Sequence, residues 1–115
     1  MPPHLHLLAH KTAAITGGTT GIGRAIALSF LSHGSNVAVN HPGLTRDVAR
    51  LASLHADARA LKATDPDAGD LIDVAGDVAL PETGRALVDA AVGRWGRLDV
   101  LVSNAGVCEF REFLE

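Results

Sequence analysis

The fold is decided by Thr16-Gly17-Gly18-Thr19-Thr20-Gly21-Ile22-Gly23. This stretch follows an apolar run and precedes a segment whose apolar residues recur at helical spacing. Its glycines allow a tight turn and remove the Cβ atoms that would keep a ligand away from the backbone. The start of a helix carries unpaired N–H groups and partial positive charge, so the junction favours a bound phosphate. Taken alone, the loop could also be a structural glycine-rich turn.

Outward from this loop, four short β-like runs alternate with three helical patterns. The runs are residues 11–16 (KTAAIT), 36–40 (NVAVN), 71–75 (LIDVA) and 100–103 (VLVS). The helical patterns are 21–33, 45–60 and 81–95, and residues 63–70 (ATDPDAGD) are predicted to form a polar loop. The first and last runs are too uniformly apolar to have a wet face, which is typical of parallel strands covered by helices.

Helical spacing also predicts which side chains each helix buries. The predicted stripes are Ile22, Ala25, Ile26 and Phe30 in the first helix; Val48, Leu51, Ala52 and His55 in the second; and Leu87, Ala90, Ala91 and Arg94 in the third, with Val88, Val92 and Trp95 beside them. Pro81 is expected to begin the third helix and Gly96 to end it.

The order β-α-β-α-β-α-β predicts an α/β fold. Right-handed crossovers convert this order into a parallel sheet with helices on both faces. We therefore predict the N-terminal half of a doubly wound (Rossmann) domain with strand order 3-2-1-4. Residues 1–10 are predicted to be a leader, and residues 11–115 a partial domain.

Composition excludes several classes of protein. The chain has 115 residues, enough for one small domain, with 10 basic and 13 acidic residues and a net charge of −3. This balance gives no electrostatic reason to expect nucleic acid or an anionic membrane surface as a partner. No apolar run is long enough for a membrane span. A single cysteine, Cys108, favours a reducing compartment, and we expect a cytoplasmic location.

The first ten residues contain three histidines and do not have the pattern of a secretory signal. His4, His6 and His10 could be imagined as a metal cluster. A polar leader into the first strand is the preferred interpretation, and no metal site is predicted.

The glycine loop does not fit a nucleoside-triphosphate site. Gly18 and Gly23 have the spacing of the P-loop glycines, but Arg24 and Ala25 occupy the places of the lysine and the magnesium-binding hydroxyl. The NTPase interpretation is therefore rejected.

The pattern Gly-x-x-x-Gly-x-Gly with Thr16 in front resembles the short-chain dehydrogenase/reductase family. Asp77-Val78 after the third strand resembles the adenine-contacting pair of that family. Ser103-Asn104-Ala105-Gly106 after the fourth strand resembles its Asn-Asn-Ala-Gly motif, with Ser in the first place. These motifs cover nearly the whole chain from Lys11 onward.

The resemblance implies an NAD(P) site. The cofactor-binding residues it implies are Gly17, Thr19, Thr20, Gly21, Ile22, Gly23, Asn40, His41, Asp77, Val78, Asn104, Ala105 and Gly106. The glycine loop would bracket the pyrophosphate, Asp77 would accept from the adenine amino group, and Val78 would line the adenine pocket. Asn104 would brace the central sheet, and the two residues after it would pass near the ribose. Individually, Asp77 could be a loop cap and Asn104 a turn residue.

Cofactor preference depends on the end of the second strand. An acidic residue there would bind the ribose 2′-OH and repel a 2′-phosphate. This chain has Asn40-His41 instead, and Arg24 or Arg46 could reach the phosphate. NADP(H) is therefore preferred over NAD(H), with dual use open.

The same resemblance places the catalytic Ser, Tyr and Lys beyond the fourth strand. The chain has no tyrosine, so no catalytic residue is assigned and the chain is predicted to be inactive alone. Cys108 is interpreted as a small buried thiol and not as a nucleophile.

The implied parent is an oxidoreductase that acts on an alcohol or carbonyl and assembles as a homo-oligomer. Residues 15–41 and 107–110 are similar to fungal sugar dehydrogenases of the L-rhamnose 1-dehydrogenase kind. A 3-oxoacyl reductase or another alcohol dehydrogenase would look much the same. Two alternatives remain: a stand-alone nucleotide-binding module or pseudoenzyme, and a fragment that folds poorly because the strand edge at 100–103 is uncovered.

Overall fold

The computed structural model describes residues 6–104 and consists of a four-stranded parallel sheet between helices. Its elements, in chain order, are β1 (Thr12–Ile15), α1 (Gly21–Ser32), β2 (Asn36–His41), α2 (Asp47–Thr64), β3 (Leu71–Ala75), α3 (Pro81–Trp95) and β4 (Val100–Val102). The strand order is β3-β2-β1-β4. The predicted α/β class and the 3-2-1-4 order are both confirmed.

The core lies on both faces of the central strand β1, all four residues of which are buried. On one face, Ile15 and Val39 pack with Leu31 of α1 and Leu54 of α2. On the other face, a smaller cluster joins Ala14, Ala38, Leu87 and Ala91, the last two from α3. The result is the helix–sheet–helix sandwich expected of a parallel sheet.

The predicted stripe of α1 is wrong in its first turn. Ile22 is 72% exposed, whereas Gly23, Ala27 and Leu31 are the buried residues of this helix. Ala25 is also exposed, and Ile26 and Phe30 are half-buried at the margin of the core. Toward the glycine loop the helix makes this contact through Gly23 and Ala27, because larger residues there would hold it too far away, and Leu31 packs in the core in the last turn. The bulky Ile26 and Phe30 lie beside this line of contact.

The other two helices show similar shifts. In α2, Leu54 is buried and Leu51 and His55 are half-buried, but Val48 is 67% exposed and Ala52 is exposed. The helix also continues to Thr64, so the predicted polar loop is shorter than 63–70.

In α3, Leu87 and Ala91 are buried as predicted, and Thr83 joins them. Arg94 and Val92 are exposed, so the buried stripe of this helix is narrower than the predicted one; Val88, Ala90 and Trp95 are half-buried. Pro81 stands in the first turn and Gly96 ends the helix in a left-handed conformation, as predicted.

The strand β4 differs most from its predicted environment. It has three residues, and it pairs with β1 at one edge of the described sheet. Leu101 is 60% exposed, so the expectation that this run has no wet face is wrong for the part of the chain described. Val100 and Val102, on its other face, pack against the core.

None of the helices in residues 6–104 combines the length and the apolar character needed to cross a membrane.

Candidate functional site

The carboxyl ends of β1, β2 and β3 open into a cleft of about 570 Å³. Predicted cofactor-binding residues that line it are Gly17, Thr19, Thr20, Gly21, Ile22, Asn40, Asp77, Val78 and Asn104. Pro42, Arg46, Asp47, Arg50 and Gly76 complete the lining. In open α/β sheets, ligands bind outside the carboxyl ends of the strands, where the strand order reverses. In this sheet the strand order reverses at β1, which lies between β2 and β4, and the cleft lies at that position.

The glycine loop leaves the start of α1 open toward this cleft. Gly17 and Gly21 have positive φ angles of 63° and 56°, a region that favours glycine. Thr20 precedes the helix in an extended conformation without a side-chain cap, and the first turn contains no acidic residue. The partial positive charge of the helix start is therefore not offset by a local carboxylate, which suits an anionic ligand.

Gly23 does not line the cleft but allows the loop and α1 to meet. A Cβ at this position would lie 2.3 Å from the Gly17 carbonyl oxygen and 2.4 Å from Asn104 Nδ2. Gly18 serves a similar purpose against β2, since a Cβ there would lie 2.5 Å from Val39 Cγ1. These two glycines shape the loop that Gly17 and Gly21 present to a ligand.

Asn104 joins the end of β4 to the glycine loop. Its backbone N–H donates to Thr16 Oγ1 across 2.8 Å, and its side-chain amide donates to the Gly17 carbonyl across 3.4 Å. The Thr16 hydroxyl in turn donates to the Val102 carbonyl. These bonds tie the loop to the sheet, in line with the predicted bracing. Ala105 and Gly106, the other predicted residues of this motif, lie outside the described residues, as does Cys108.

Asp77 and Val78 form the far wall of the cleft. One Asp77 carboxylate oxygen accepts the Ala79 N–H across 2.9 Å, so this residue also caps its own loop. Val78 is 37% exposed, an apolar surface available to a ring. The capping and ligand-facing interpretations of Asp77 are therefore compatible.

Asn40 and His41, adjacent in sequence, lie in different surroundings. Asn40 is buried, and its amide donates to the Gly76 carbonyl across 3.0 Å, which joins the ends of β2 and β3. His41 does not line the cleft. Its ring is turned toward Asp73, 3.1 Å from Nε2, and its side chain is only 8% exposed.

Two arginines at the start of α2 line the cleft, whereas Arg24 of α1 does not. Arg46 and Arg50 are part of the lining. Arg24, predicted as one of two candidates for a 2′-phosphate, is paired with Asp57 and donates to Ser53 on α2. Arg50 was missed by the sequence analysis. The available signal was its position four residues after Arg46, which places both on one helix face.

A carboxylate between two imidazoles lies behind the β2 end of the cleft. The Asp73 carboxylate accepts hydrogen bonds from His55 Nε2 across 2.8 Å and from His41 Nε2 across 3.1 Å. Partial burial is the largest single influence and raises the pKa of Asp73, but the hydrogen bonds from His55 and His41 together with their electrostatic attraction outweigh it and leave that pKa below its usual value. No sequence pattern predicts this cluster, because its members come from three separate elements.

A second histidine–carboxylate group lies at the end where the strands begin. His6 Nε2 is 2.8 Å from Asp65 Oδ2, and both residues group with Asp67 so that the potential ligand atoms lie within 4.8 Å of one another. Of the three histidines considered in the leader, His4 lies outside the described residues. The contact between His6 and Asp65 ties the leader to the loop that follows α2.

The family of this chain is identified by comparison with known proteins. A sequence model described as short chain dehydrogenase matches residues 11–115. The chain belongs to the short chain dehydrogenase family. The match includes the glycine loop, Asp77, Val78 and Asn104, which line the cleft.

Several similar proteins are named as dehydrogenases of a sugar, L-rhamnose. The chain is 48% identical over 110 residues to an L-rhamnose-1-dehydrogenase of Scheffersomyces stipitis, covering 95% of this chain and 40% of that protein. It is 40% identical over 115 residues to an L-rhamnose 1-dehydrogenase (NAD(P)(+)) of Sphingomonas sp., covering 96% of this chain and 40% of that protein. The chain thus spans about 40% of the length of these relatives.

Solved structures show the same fold. A hydroxysteroid dehydrogenase from Escherichia coli superposes with a TM-score of 0.73 at 28% identity, over 89% of this chain and 39% of that one. A glucose dehydrogenase of Caenorhabditis elegans superposes with a TM-score of 0.72 at 30% identity, over 87% of this chain and 39% of that one.

Proposed function

We propose that this chain binds a nicotinamide dinucleotide in the cleft at the carboxyl ends of β1, β2 and β3. The observation that carries the proposal is the open start of α1, reached through Gly17 and Gly21, which faces Asp77 and Val78 across one cleft. The helix start would receive the pyrophosphate. Asp77 and Val78 would contact the adenine, at the opposite wall.

The larger function we propose is hydride transfer between nicotinamide and an alcohol or carbonyl group. This chain would supply the cofactor-binding part of that oxidoreductase. Proton transfer in the family is expected from a tyrosine assisted by a lysine, and the 115 residues contain no tyrosine. We therefore assign no catalytic residue here and place the chemistry in a longer protein.

A sugar is the proposed substrate class. The support is the identity of 48% and 40% to two proteins named as L-rhamnose 1-dehydrogenases. In this proposal the anomeric hydroxyl is oxidised to a lactone, with the hydride passing to the oxidised cofactor and the hydroxyl proton to a base of the longer protein. We further propose a homo-oligomer in a reducing, cytoplasmic compartment, consistent with a single cysteine.

NADP(H) is the proposed preferred cofactor. Arg46 and Arg50 line the β2 side of the cleft, where two guanidinium groups could receive a 2′-phosphate. Asp47, the acidic residue that follows Arg46 in the sequence, is 3% exposed and its carboxylate accepts the Leu44 N–H across 2.9 Å. Asn40, at the end of β2, is neutral and engaged with β3. NAD(H) remains the second cofactor to test.

A nucleotide-binding module without catalysis is the second candidate function. The observation in its favour is that the described residues form the cleft proposed to bind a cofactor, while the chain has no tyrosine. A Tyr-x-x-x-Lys motif in the continuing reading frame, together with sugar-dependent NADPH formation by its product, would favour the oxidoreductase. A frame without that motif would favour the module.

Calorimetric titration of the chain with NADPH and with NADH tests cofactor binding. Gly21→Asp places a carboxylate at the positive end of α1, at a φ of 56° that side chains rarely adopt, and should abolish binding. Gly93→Asp adds the same charge in α3, where a Cβ meets no atom within 4 Å, and should retain it. The proposal would be contradicted if Gly21→Asp bound the cofactors as well as Gly93→Asp does. It would also be contradicted if a wild-type chain that circular dichroism shows to be folded bound neither cofactor saturably.

A further inference from the structure

The His41 ring bridges the sheet and the loop that leads into α2. On one side its Nε2 lies 3.1 Å from Asp73 Oδ2 of β3. On the other side the backbone N–H of Gly43 donates to its Nδ1 across 3.2 Å. The side chain is 8% exposed, so neither contact is readily replaced by water.

These two contacts determine the protonation pattern of the ring. A nitrogen that accepts an N–H must present a lone pair, so Nδ1 carries no proton. The proton of the neutral ring is then on Nε2, where it is donated to the Asp73 carboxylate. The other titratable group on this carboxylate is His55 of α2, whose Nε2 lies 2.8 Å from the second oxygen. If both ring nitrogens of His41 carried a proton, the Nδ1–H would face the Gly43 N–H, and the hydrogen bond between them would be lost.

The loop held by His41 forms the β2 wall of the cleft. Gly43 has a φ of 81°, and the residue before it, Pro42, lines the cleft. At the far end of the loop, Asp47 accepts the Leu44 N–H across 2.9 Å. The loop is therefore anchored by a ring at its start and by a carboxylate at its end. Arg46 lies within this anchored segment.

We propose that His41 is a positioning residue, which as the Nε2–H tautomer holds the 42–46 loop so that Arg46 faces the cofactor. The inference rests on the proposed function, because the effect on affinity requires a dinucleotide in the cleft. It goes beyond that function by giving His41 no contact with the cofactor. His41 affects cofactor affinity indirectly, through Gly43 and the 42–46 loop. Because that loop carries Arg46, the effect is larger on binding of the 2′-phosphate than on binding of the parts that NAD and NADP share.

Two substitutions separate the two contacts of the ring. In His41→Asn, the amide oxygen can stand near the place of Nδ1 and accept from Gly43, while the contact with Asp73 is lost. In His41→Gln, the amide nitrogen can stand near the place of Nε2 and donate to Asp73, while the acceptor for Gly43 is lost. His55→Ala is the control, since it removes the other imidazole from Asp73 and leaves Gly43 untouched.

The affinity test measures the dissociation constants of NADPH and NADH for the four proteins. His41→Gln should weaken NADPH binding by about two- to tenfold, the effect of one hydrogen bond, and change NADH binding by less than about twofold. His41→Asn and His55→Ala should leave the ratio of the two constants unchanged. Equal weakening of both cofactors by His41→Gln, or the same NADPH loss in His41→Asn, would overturn the proposal.

A second readout needs no cofactor. Long-range ¹H–¹⁵N spectra of the wild-type chain should show the His41 ring protonated at Nε2 only, and amide exchange at Gly43 should be faster in His41→Gln than in His41→Asn. A ring protonated at Nδ1 would overturn the proposal even if cofactor binds. If instead this pattern is found and the wild type binds neither cofactor, the proposed function fails, and with it the role of His41 in cofactor preference.

Discussion

The backbone N–H of Asn104 donates to the hydroxyl of Thr16 across 2.8 Å, and so joins residues 88 positions apart in the chain. The bond lies where β4 ends and where the glycine loop leaves β1. It is supported by the Asn104 side-chain amide on the Gly17 carbonyl. Because the short strand β4 has one neighbour in the described sheet, such contacts hold its end in place. The shape of the loop thus depends on a strand far away in sequence.

Thr16→Val should lower the free energy of unfolding by about 1–3 kcal/mol, because the Asn104 N–H loses its acceptor in a partly buried position. Thr16→Ser keeps the hydroxyl and should recover most of that loss. Urea unfolding of the two variants measures the difference. Equal stability of the valine and serine variants would show that the hydroxyl does not support the loop.

Gly23→Ala should destabilise the chain by about 1–3 kcal/mol, because the new Cβ would overlap the Gly17 carbonyl and the Asn104 amide. Gly84→Ala is the matched control in α3, where a Cβ meets no atom within 4 Å. Alanine favours a helix over glycine, so the control should gain up to about 1 kcal/mol. Thermal unfolding followed by circular dichroism distinguishes the two signs, and a gain in both variants would contradict the close contact.

The acid limb of stability should depend on Asp73. Its pKa is lowered in the folded chain, because the hydrogen bonds and electrostatic attraction of His55 and His41 together outweigh the effect of partial burial. A lowered folded pKa stabilises above the unfolded value of about 3.9, and this contribution is lost as the pH falls through the folded pKa. Below about pH 4, the free energy of unfolding should therefore fall more steeply for the wild type than for Asp73→Asn. Parallel curves in urea titrations across that range would exclude the carboxylate as the cause.

Arg46→Ala and Arg50→Ala should each weaken NADPH binding by about ten- to a hundredfold and leave NADH binding nearly unchanged, because a charged hydrogen bond to the 2′-phosphate is lost. Arg24→Ala is the matched control, since that guanidinium is paired with Asp57 outside the cleft. Fluorescence titration with both reduced cofactors measures the effect. If Arg24→Ala alone weakened NADPH binding, the assignment of the phosphate to the β2 wall would be wrong.

Local patterns in the sequence were enough to predict the strand order, whereas most of the residues that line the cleft were implied by the resemblance to the short-chain dehydrogenase/reductase family. The glycine loop and Asp77 each lie directly after a strand, and parallel strands bring their carboxyl ends to one edge. Side-chain direction could not be obtained in this way. His41 follows Asn40 at the end of β2, yet its ring does not face the cleft. A buried imidazole requires partners, and here they are Asp73 of the neighbouring strand and the Gly43 N–H of the following loop.

The helix faces were predicted less well than the sheet, for a related reason. Spacing favours the large apolar residues, and so Ile22 was assigned to the buried stripe of α1. The contact is made through Gly23, Ala27 and Leu31, since a helix that touches the glycine loop must approach it closely. Arg24 was misplaced by the same uncertainty in helix rotation, which here turns it toward α2.

In the proposed function, the dinucleotide lies across the cleft, between the start of α1 and the Asp77 wall. The most direct test is a map of amide chemical-shift changes in the ¹⁵N-labelled chain as NADPH is added. We predict saturable changes at Gly17, Gly21, Asp77 and Val78, with His6–His10 unaffected. Changes confined to the separate cavity at the β3 edge of the sheet, lined by Arg59, Lys62 and Arg94, would contradict this placement, as would the absence of any change.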